Sequence, residues 1–298
     1  MSQLFKAAGI SKQAFHQYRK RKRTLEERLL LLLVIVEKTR KDHPGMGLRK
    51  MYDMIQPDFI GRDRFIAFFS ALGYKVKFRI NYRRTTYRGK HTYPNRIKGM
   101  EIREPNKVWQ SDITYFQVGD RFYYLTFIID VYTREIVGYH VSKHLRASAN
   151  VKALKMAIKR YGAPEIHHSD RGTQYTSHEY IALLQSHNIS ISMSIEAWEN
   201  AYAERINRTI KEEYLFYRKI KSFSQLQKEV RKSVRLYNTG RIHNHLNKTT
   251  PAAFRQKVLT LHMDKRPVVA IYSDEEEKGI RYEPSKKNTT SSITKPTK

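Results

Sequence analysis

Apolar and polar positions follow one period before about residue 105 and another after it. In the first part the apolar residues recur at helical spacing. Leu4, Phe5, Ala7 and Ala8 end at Gly9, and Ser11 stands where an N-cap belongs, ahead of residues 12–22. The two segments predict a helix-turn-helix with Gln13, Ala14, His16 and Gln17 on the leading turns of its second helix. A separate helix is predicted over residues 25–41, closed by His43-Pro44-Gly45, and its apolar run 29–36 reads as a buried core helix. Residues 47–55 and 62–72, ended by Gly73, form a second small helical unit in this reading.

Beyond Pro105 the pattern turns strand-like. Val108–Val118, Arg121–Asp130 and residues 135–142 are three β-rich runs, the first two joined by the hairpin signal Gly119-Asp120. A helix over Ala147–Tyr161, a short strand at 165–168, a helix at 178–187, a strand at 189–193 and two long helices at 199–218 and 222–239 follow. Strands first paired by hairpins and then alternating with helices describe an α/β fold, a mixed sheet flanked by helices. Beyond Phe254 the pattern decays, and residues 285–298 read as a disordered tail. The expected domains are 1–24, a helix-turn-helix-like segment; 25–73, a small helical unit; 74–100, a basic linker; 101–258, the α/β domain; and 259–298, a C-terminal extension.

Charge sharpens this picture. The 298 residues carry 57 Lys+Arg against 28 Asp+Glu, a net +29. Residues 1–100 hold 24 basic and 7 acidic residues (+17), so the helical third is denser in positive charge, as a surface lying on phosphates would be. Residues 74–100 hold 9 basic and no acidic residues, interleaved with tyrosines, and Arg83, Arg84 and Arg88 are the expected backbone contacts there. Gln13 and Gln17 are the expected readers of base edges. With no cysteine, disulfides, thiolate metal sites and a cysteine nucleophile are excluded. The longest apolar run, eight residues, is far short of the roughly 20 that span a bilayer. The first residues show no basic segment followed by an apolar stretch and a small-residue cleavage site, so secretion is not expected and a cytoplasmic location is.

Three acids stand out by position: Asp112 inside a strand, Asp170 just past a strand end, and Glu204 on a helix. Carboxylates from three such elements can converge on hard divalent cations, which need oxygen ligands. Paired cations would activate an oxygen nucleophile and stabilise the leaving oxygen of a phosphoryl displacement. Among the other polar residues, His167, His168 and Asp130 read as packed and structural. Ser111 and Ser169 have no base arrangement that would make either a nucleophile. Trp109 and Trp198 read as core or loop packing.

The stretches Trp109-Gln110-Ser111-Asp112-Ile113-Thr114, Ile129-Asp130-Val131-Tyr132-Thr133-Arg134, His168-Ser169-Asp170-Arg171-Gly172-Thr173-Gln174-Tyr175 and Asn200-Ala201-Tyr202-Ala203-Glu204 resemble the DDE core of bacterial insertion-sequence transposases of the insertion-sequence-three type. The resemblance runs from about residue 8 to Asn247-Lys248-Thr249-Thr250-Pro251-Ala252. It implies a ribonuclease-H-like, retroviral-integrase-like domain that cleaves transposon ends and joins their 3′-hydroxyls to target DNA. By the same carry-over Asp112, Asp170 and Glu204 are the catalytic acids holding two Mg²⁺ ions, with Mn²⁺ as a substitute. Lys211, with Arg208 between it and Glu204, would face DNA. At 3.6 residues per turn, Lys211 falls on the same helix face as Glu204. Asn207 would flank Arg208 there. The implied partners are double-stranded DNA, further copies of the chain assembled on it, and an upstream-frame product fused by frameshifting. The implied location is the bacterial nucleoid. One departure is visible: 33 residues separate Asp170 from Glu204, two fewer than is usual, with the loss in Ile195-Glu196-Ala197-Trp198-Glu199. Glu196 and Glu199 are alternatives to Glu204, which fits best because it alone keeps the Asn-Ala-x-x-Glu context. The rival reading is a non-catalytic helix-turn-helix regulator carrying a degenerate integrase fold.

Overall fold

The computed structural model describes Phe5, residues 9–76 and residues 92–271. Arg83, Arg84, Arg88 and the 285–298 tail lie outside the described residues. The chain divides into a helical unit, residues 1–79 with 212–217, and a larger α/β unit, residues 80–211 and 218–298.

The helical unit is built from α1 (Lys12–Asp42), α2 (Leu48–Ile55) and α3 (Arg62–Ala71). Ser11 caps α1 as expected, accepting from the Ala14 N–H at 3.0 Å. The separate helices expected over 12–22 and 25–41 are one continuous helix of 31 residues. Nothing in Arg23-Thr24-Leu25 removes a backbone donor or demands a positive φ. The pairs Lys22–Glu26 (3.9 Å) and Arg23–Glu27 (3.0 Å) run across the supposed break at helical spacing. A second correction concerns the run 29–36. Leu32 and Val36 are buried with Met46, Leu48, Met51, Phe65 and Phe69, whereas Leu30, Leu31, Val34 and Ile35 are exposed. Eight consecutive residues pass right around a helix, and α2 and α3 cover only one side of it. The bend after α1 is held by Arg40, whose guanidinium donates to the carbonyls of Pro44, Met46 and Tyr74.

The α/β unit is organised by β1 (Met100–Ile102), β2 (Val108–Val118), β3 (Arg121–Asp130), β4 (Ile136–Ser142), β5 (Ile166–Ser169), β6 (Ser190–Met193) and β7 (Val269–Ile271). Its helices are α4 (Ala147–Tyr161), α5 (His178–Ser186), α6 (Ala201–Thr209), α7 (Phe223–Gly240) and α8 (Pro251–Leu259). The main sheet has the order β4-β3-β2-β5-β6. Strands β4, β3 and β2 are antiparallel, and β5 and β6 join parallel to β2 through the α4 and α5 crossovers. This is the expected ribonuclease-H-like mixed sheet. Gly119, at φ +58°, makes the two-residue turn that pairs Val118 with Arg121. At Gly138 of β4 a Cβ would lie 2.5 Å from the Ala153 carbonyl oxygen, so α4 rests directly on the sheet there.

One core cluster joins Trp109, Ile128 and Val137 to Val151, Leu154, Ala157 of α4 and to Tyr180 and Leu184 of α5. A second joins Val108, Val131, Tyr132 and Ile166 to Phe254 and Val258 of α8. The second cluster also corrects the expected boundaries. Ile97, Ile102, Val269 and Ile271 are buried in it, and β1 pairs antiparallel with β7, so residues on both sides of the expected 101–258 domain belong to its core. The expected helix 199–218 is likewise interrupted: a 3₁₀ turn (Ala197–Asn200) precedes α6, and a π-helical turn (Ile210–Tyr214) follows it.

Candidate active site

Strand β2 lies in the middle of the sheet, with β3 and β5 as its neighbours. In the parallel β2–β5 ladder Ser111 pairs with Ser169, so Asp112 and Asp170 are the next residues on adjacent chains. Ligand sites collect at such carboxyl ends of strands. Asp170 then turns the chain, its Oδ1 accepting from the Gly172 N–H at 3.1 Å.

Helix α6 is fastened to this place by β2 itself. The Gln110 side chain accepts from the Tyr202 and Ala203 N–H groups, two donors of the helix start, and gives its own N–H to the Glu199 carbonyl. Asn200 donates to the Ser111 carbonyl at 3.1 Å. One turn past Glu204, Asn207 donates to Asp112 Oδ2 at 2.7 Å. The Asn-Ala-x-x-Glu pattern therefore has a physical meaning: its Asn clamps the helix to β2 beside Asp112, and its Glu follows by a little over a turn.

The three acids feel one another. The Asp112 carboxyl is held well above the usual carboxylate range, first by burial and then by the charges of Asp170 and Glu204, against the Ile113 N–H and Asn207 bonds. Burial raises Asp170 as well, opposed by the Gly172 N–H. Glu204 is raised by burial, with Arg208 opposing and Asp170 adding to the shift. Like charges held close disfavour ionisation. Among the described residues, no group of three or more His, Asp or Glu side chains stands close enough together to hold a metal ion by itself. The donor set fits a hard dication by its chemistry: three carboxylates whose mutual repulsion a cation would relieve.

The remaining expectations separate cleanly. His167 is buried and shares a hydrogen bond with the Tyr180 hydroxyl (2.9 Å), and burial pulls its pKa down to about 3. His168 meets the Ser192 hydroxyl at 2.8 Å, with its pKa lowered to about 4 by burial. Asp130 is buried and accepts from the Thr133 N–H and hydroxyl and from the Asn106 N–H. Ser111 shares a hydrogen bond with Tyr175 rather than with a base. Trp109 is core, whereas Trp198 is half exposed on the 3₁₀ turn.

Glu199 is buried, and its carboxylate accepts from the Ile195 and Glu196 N–H groups. Burial works to raise its pKa, but those bonds outweigh it and the pKa is lowered. Glu199 thus closes the shortened loop and does not join the acid group.

Two helix-face expectations change. Asn207 is buried and turned towards Asp112, where the sequence had placed it facing DNA. Lys211 does not continue a straight α-helical face, because α6 ends at Thr209 and Lys211 falls in the wider π turn, its ammonium 5.5 Å from the Tyr115 ring centroid. Arg208 is exposed and lies near enough to Glu204 to favour its charged form. Gln13 and Gln17 are exposed on the first turns of α1. Gln110 and Asn200 lie within the family-like motifs, where sequence alone assigns them no role. Their signal was the amide side chain at an inward strand position and at a helix start.

Comparison with known proteins defines the class first. Residues 102–197 and 186–251 match two models described as integrase core domain. The insertion element IS600 uncharacterized 31 kDa protein of Shigella sonnei is 30% identical over 86% of this chain and 98% of its own length. The putative transposase InsK for insertion sequence element IS150 of Escherichia coli is 31% identical over 58% of this chain and 63% of that protein. The HTLV-2 integrase catalytic core domain, solved in complex with magnesium, is 21% identical and matches 51% of this chain and 97% of that chain at a TM-score of 0.44. The chain belongs to the insertion-sequence-three family of transposases. Among the described residues, no helix is long and apolar enough to cross a membrane.

Proposed function

We propose that the chain is a DDE transposase that cleaves DNA at transposon ends and joins the freed 3′-hydroxyls to target DNA. The observation carrying this reading is that the β2–β5 ladder sets Asp112 and Asp170 side by side, while α6, which carries Glu204, is tied to Asp112 through Asn207 one turn further on. These three would hold a pair of Mg²⁺ ions, with Mn²⁺ as a substitute, which when bound supply activation of an oxygen nucleophile and neutralisation of the leaving oxygen. The chain's own part is positioning. Gln110 and Asn200 fix α6 on β2, Asn207 fixes one Asp112 oxygen, and the Gly172 N–H fixes one Asp170 oxygen. Lys211 and Arg208 supply positive charge for the DNA backbone beside this group, and Gln13 and Gln17 of α1 supply side-chain amides that can read base edges. Arg83, Arg84 and Arg88 would contact the backbone without regard to sequence.

A strand-transfer assay on end-bearing duplex DNA tests the reading. Joined product is expected with Mg²⁺ and with Mn²⁺ and absent in chelator. No cleavage with either ion, together with retained end binding, would instead make the chain a DNA-binding regulator on an integrase fold.

A further inference from the structure

The helix α1 has a second apolar face that its own unit leaves open. Leu30, Leu31, Val34 and Ile35 are 64%, 68%, 65% and 48% exposed, and lie opposite the core-facing Leu32, Val36 and Thr39. Clustered exposed aliphatics of this kind mark interaction surfaces, whereas single ones need no explanation. Leu31 and Val34 stand on one line of the helix with Glu27 before them and Lys38 after them, at spacings of 4, 3 and 4 residues. That is the spacing of a helix–helix seam, here two apolar positions closed by opposite charges at its two ends.

We propose that this face pairs with the same face of a second copy of the chain, the two α1 helices running antiparallel about a two-fold axis between residues 32 and 33. The charges select this arrangement. In an isologous pair every contact occurs twice. Antiparallel pairing at this register sets Leu31 against Val34 of the other copy and Glu27 against its Lys38, twice over. A parallel pair would set Glu27 against Glu27 and Lys38 against Lys38, which is repulsive at both ends. Leu30 and Ile35 flank the seam on either side and extend its apolar area. The intrahelical Arg23–Glu27 pair is solvent-exposed and worth little, so it does not keep Glu27 from a partner.

The geometry has a consequence for DNA. At 1.5 Å per residue, residues 13–17 of each copy lie about 26 Å from the axis, in opposite directions. The basic stretch Arg19-Lys20-Arg21-Lys22-Arg23 accompanies them. One such pair therefore presents two basic helix starts roughly 50 Å apart, suited to holding two DNA segments at once.

This goes beyond the transposase reading and is read out without any cleavage. Sedimentation equilibrium of the full chain at micromolar concentration should give twice the 35.4 kDa chain mass, and Asp112→Asn should leave that mass unchanged. Leu31→Glu should raise the dissociation constant at least about tenfold while the helical circular dichroism stays that of the parent. Glu27→Lys and Lys38→Glu should each weaken the pair, and the double variant Glu27→Lys/Lys38→Glu should restore it. Because the chain has no cysteine, Leu31→Cys and Val34→Cys report the register directly: a mixture of the two variants should cross-link faster than either alone. A monomeric parent overturns the proposal, including the case in which α1 binds only another protein. A dimer indifferent to Leu31→Glu overturns it too, as does faster cross-linking between identical positions.

Discussion

Asp112 and Asp130 both belong to the paired strands β2 and β3, and their surroundings are opposite. Asp130 is fully buried and surrounded by donors: the Thr133 N–H and hydroxyl on one oxygen, the Asn106 N–H on the other. Asp112 is less buried, yet its donors are one neighbouring N–H and Asn207, and it faces two more acids. A buried carboxylate whose oxygens are satisfied holds loops together. One left facing other carboxylates is a cost to folding that only a charged ligand can offset. Both acids sit in the family-like motifs and both have each carboxylate oxygen hydrogen-bonded, so what separates them is the pair of acids, Asp170 and Glu204, whose charges act on Asp112.

The strongest test of this contrast exchanges the two outcomes. Asp112→Asn, Asp170→Asn and Glu204→Gln should each lower strand transfer by more than about 10³-fold, with DNA binding retained. Asp112→Asn should also leave the metal-free fold as stable as the parent or more so, because it removes like-charge repulsion. Asp130→Ala should do the reverse, costing roughly 3 kcal/mol or more by stranding three buried donors. Thermal denaturation beside the activity assay reads both. An inactive but well-folded Asp130→Ala would end the distinction.

The histidine pair of β5 offers a second contrast, between acids that resist ionisation and bases that resist protonation. With folded pKa values of about 3 and about 4 against an ordinary 6.5, His167 and His168 stay neutral in the fold. The unfolded chain takes up protons that the folded chain refuses, so their contribution is complete above pH 6.5 and is lost as pH falls towards 4. The raised acids act in the opposite sense, gaining stability as they protonate. Urea midpoints measured from neutral to acidic pH should fall more steeply for the parent than for His167→Gln, the difference approaching one proton per molecule. Equal slopes would place the proton uptake elsewhere.

Much of this was legible beforehand for local reasons. The β2–β3 hairpin follows from alternating β-branched and aromatic residues around Gly119-Asp120, and α4 from its apolar spacing and the Gly162-Ala163-Pro164 stop. That Asp112 and Asp170 fall side by side on neighbouring strands and that the helix bearing Glu204 docks against β2 was legible only through motif context. What escaped is non-local. Strands β1 and β7 are three residues each, pair across nearly the whole α/β unit, and carry too few positions to show a period. The inward turn of Asn207 depends on where α6 docks, and the exposure of half the 29–36 run depends on how many helices reach α1. Neither is written in the spacing of the residues themselves.

Asn207 sharpens the Asp112 side of the comparison at smaller scale. Losing its 2.7 Å bond frees an Asp112 oxygen without altering the acid count. Asn207→Ala should lower activity about 10–100-fold, the usual range for groups that orient a metal ligand. The Mg²⁺ concentration giving half-maximal rate should rise with it. A loss of rate at unchanged Mg²⁺ dependence would mean that Asn207 serves helix packing alone.

The smallest effect expected belongs to Lys211. In a straight α-helix it would project beside Glu204, but the π turn begins at Ile210 and the ammonium lies over Tyr115 instead. A cation–π contact of this kind is worth about 0.5–1 kcal/mol at an accessible site, little enough for a phosphate to compete for the ammonium. Lys211→Ala should then lower strand transfer by severalfold, through DNA affinity and not through metal dependence, and raising salt should narrow the gap between variant and parent, because the variant has one phosphate contact fewer to screen. Lys211→Arg keeps the charge and can still stack on Tyr115, so it should retain most activity. Tyr115→Leu divides the two roles: if the ammonium acts on DNA, removing the ring leaves activity near the parent's, and if the ring contact is what matters, Tyr115→Leu and Lys211→Ala lose stability alike and DNA affinity stays unchanged in both.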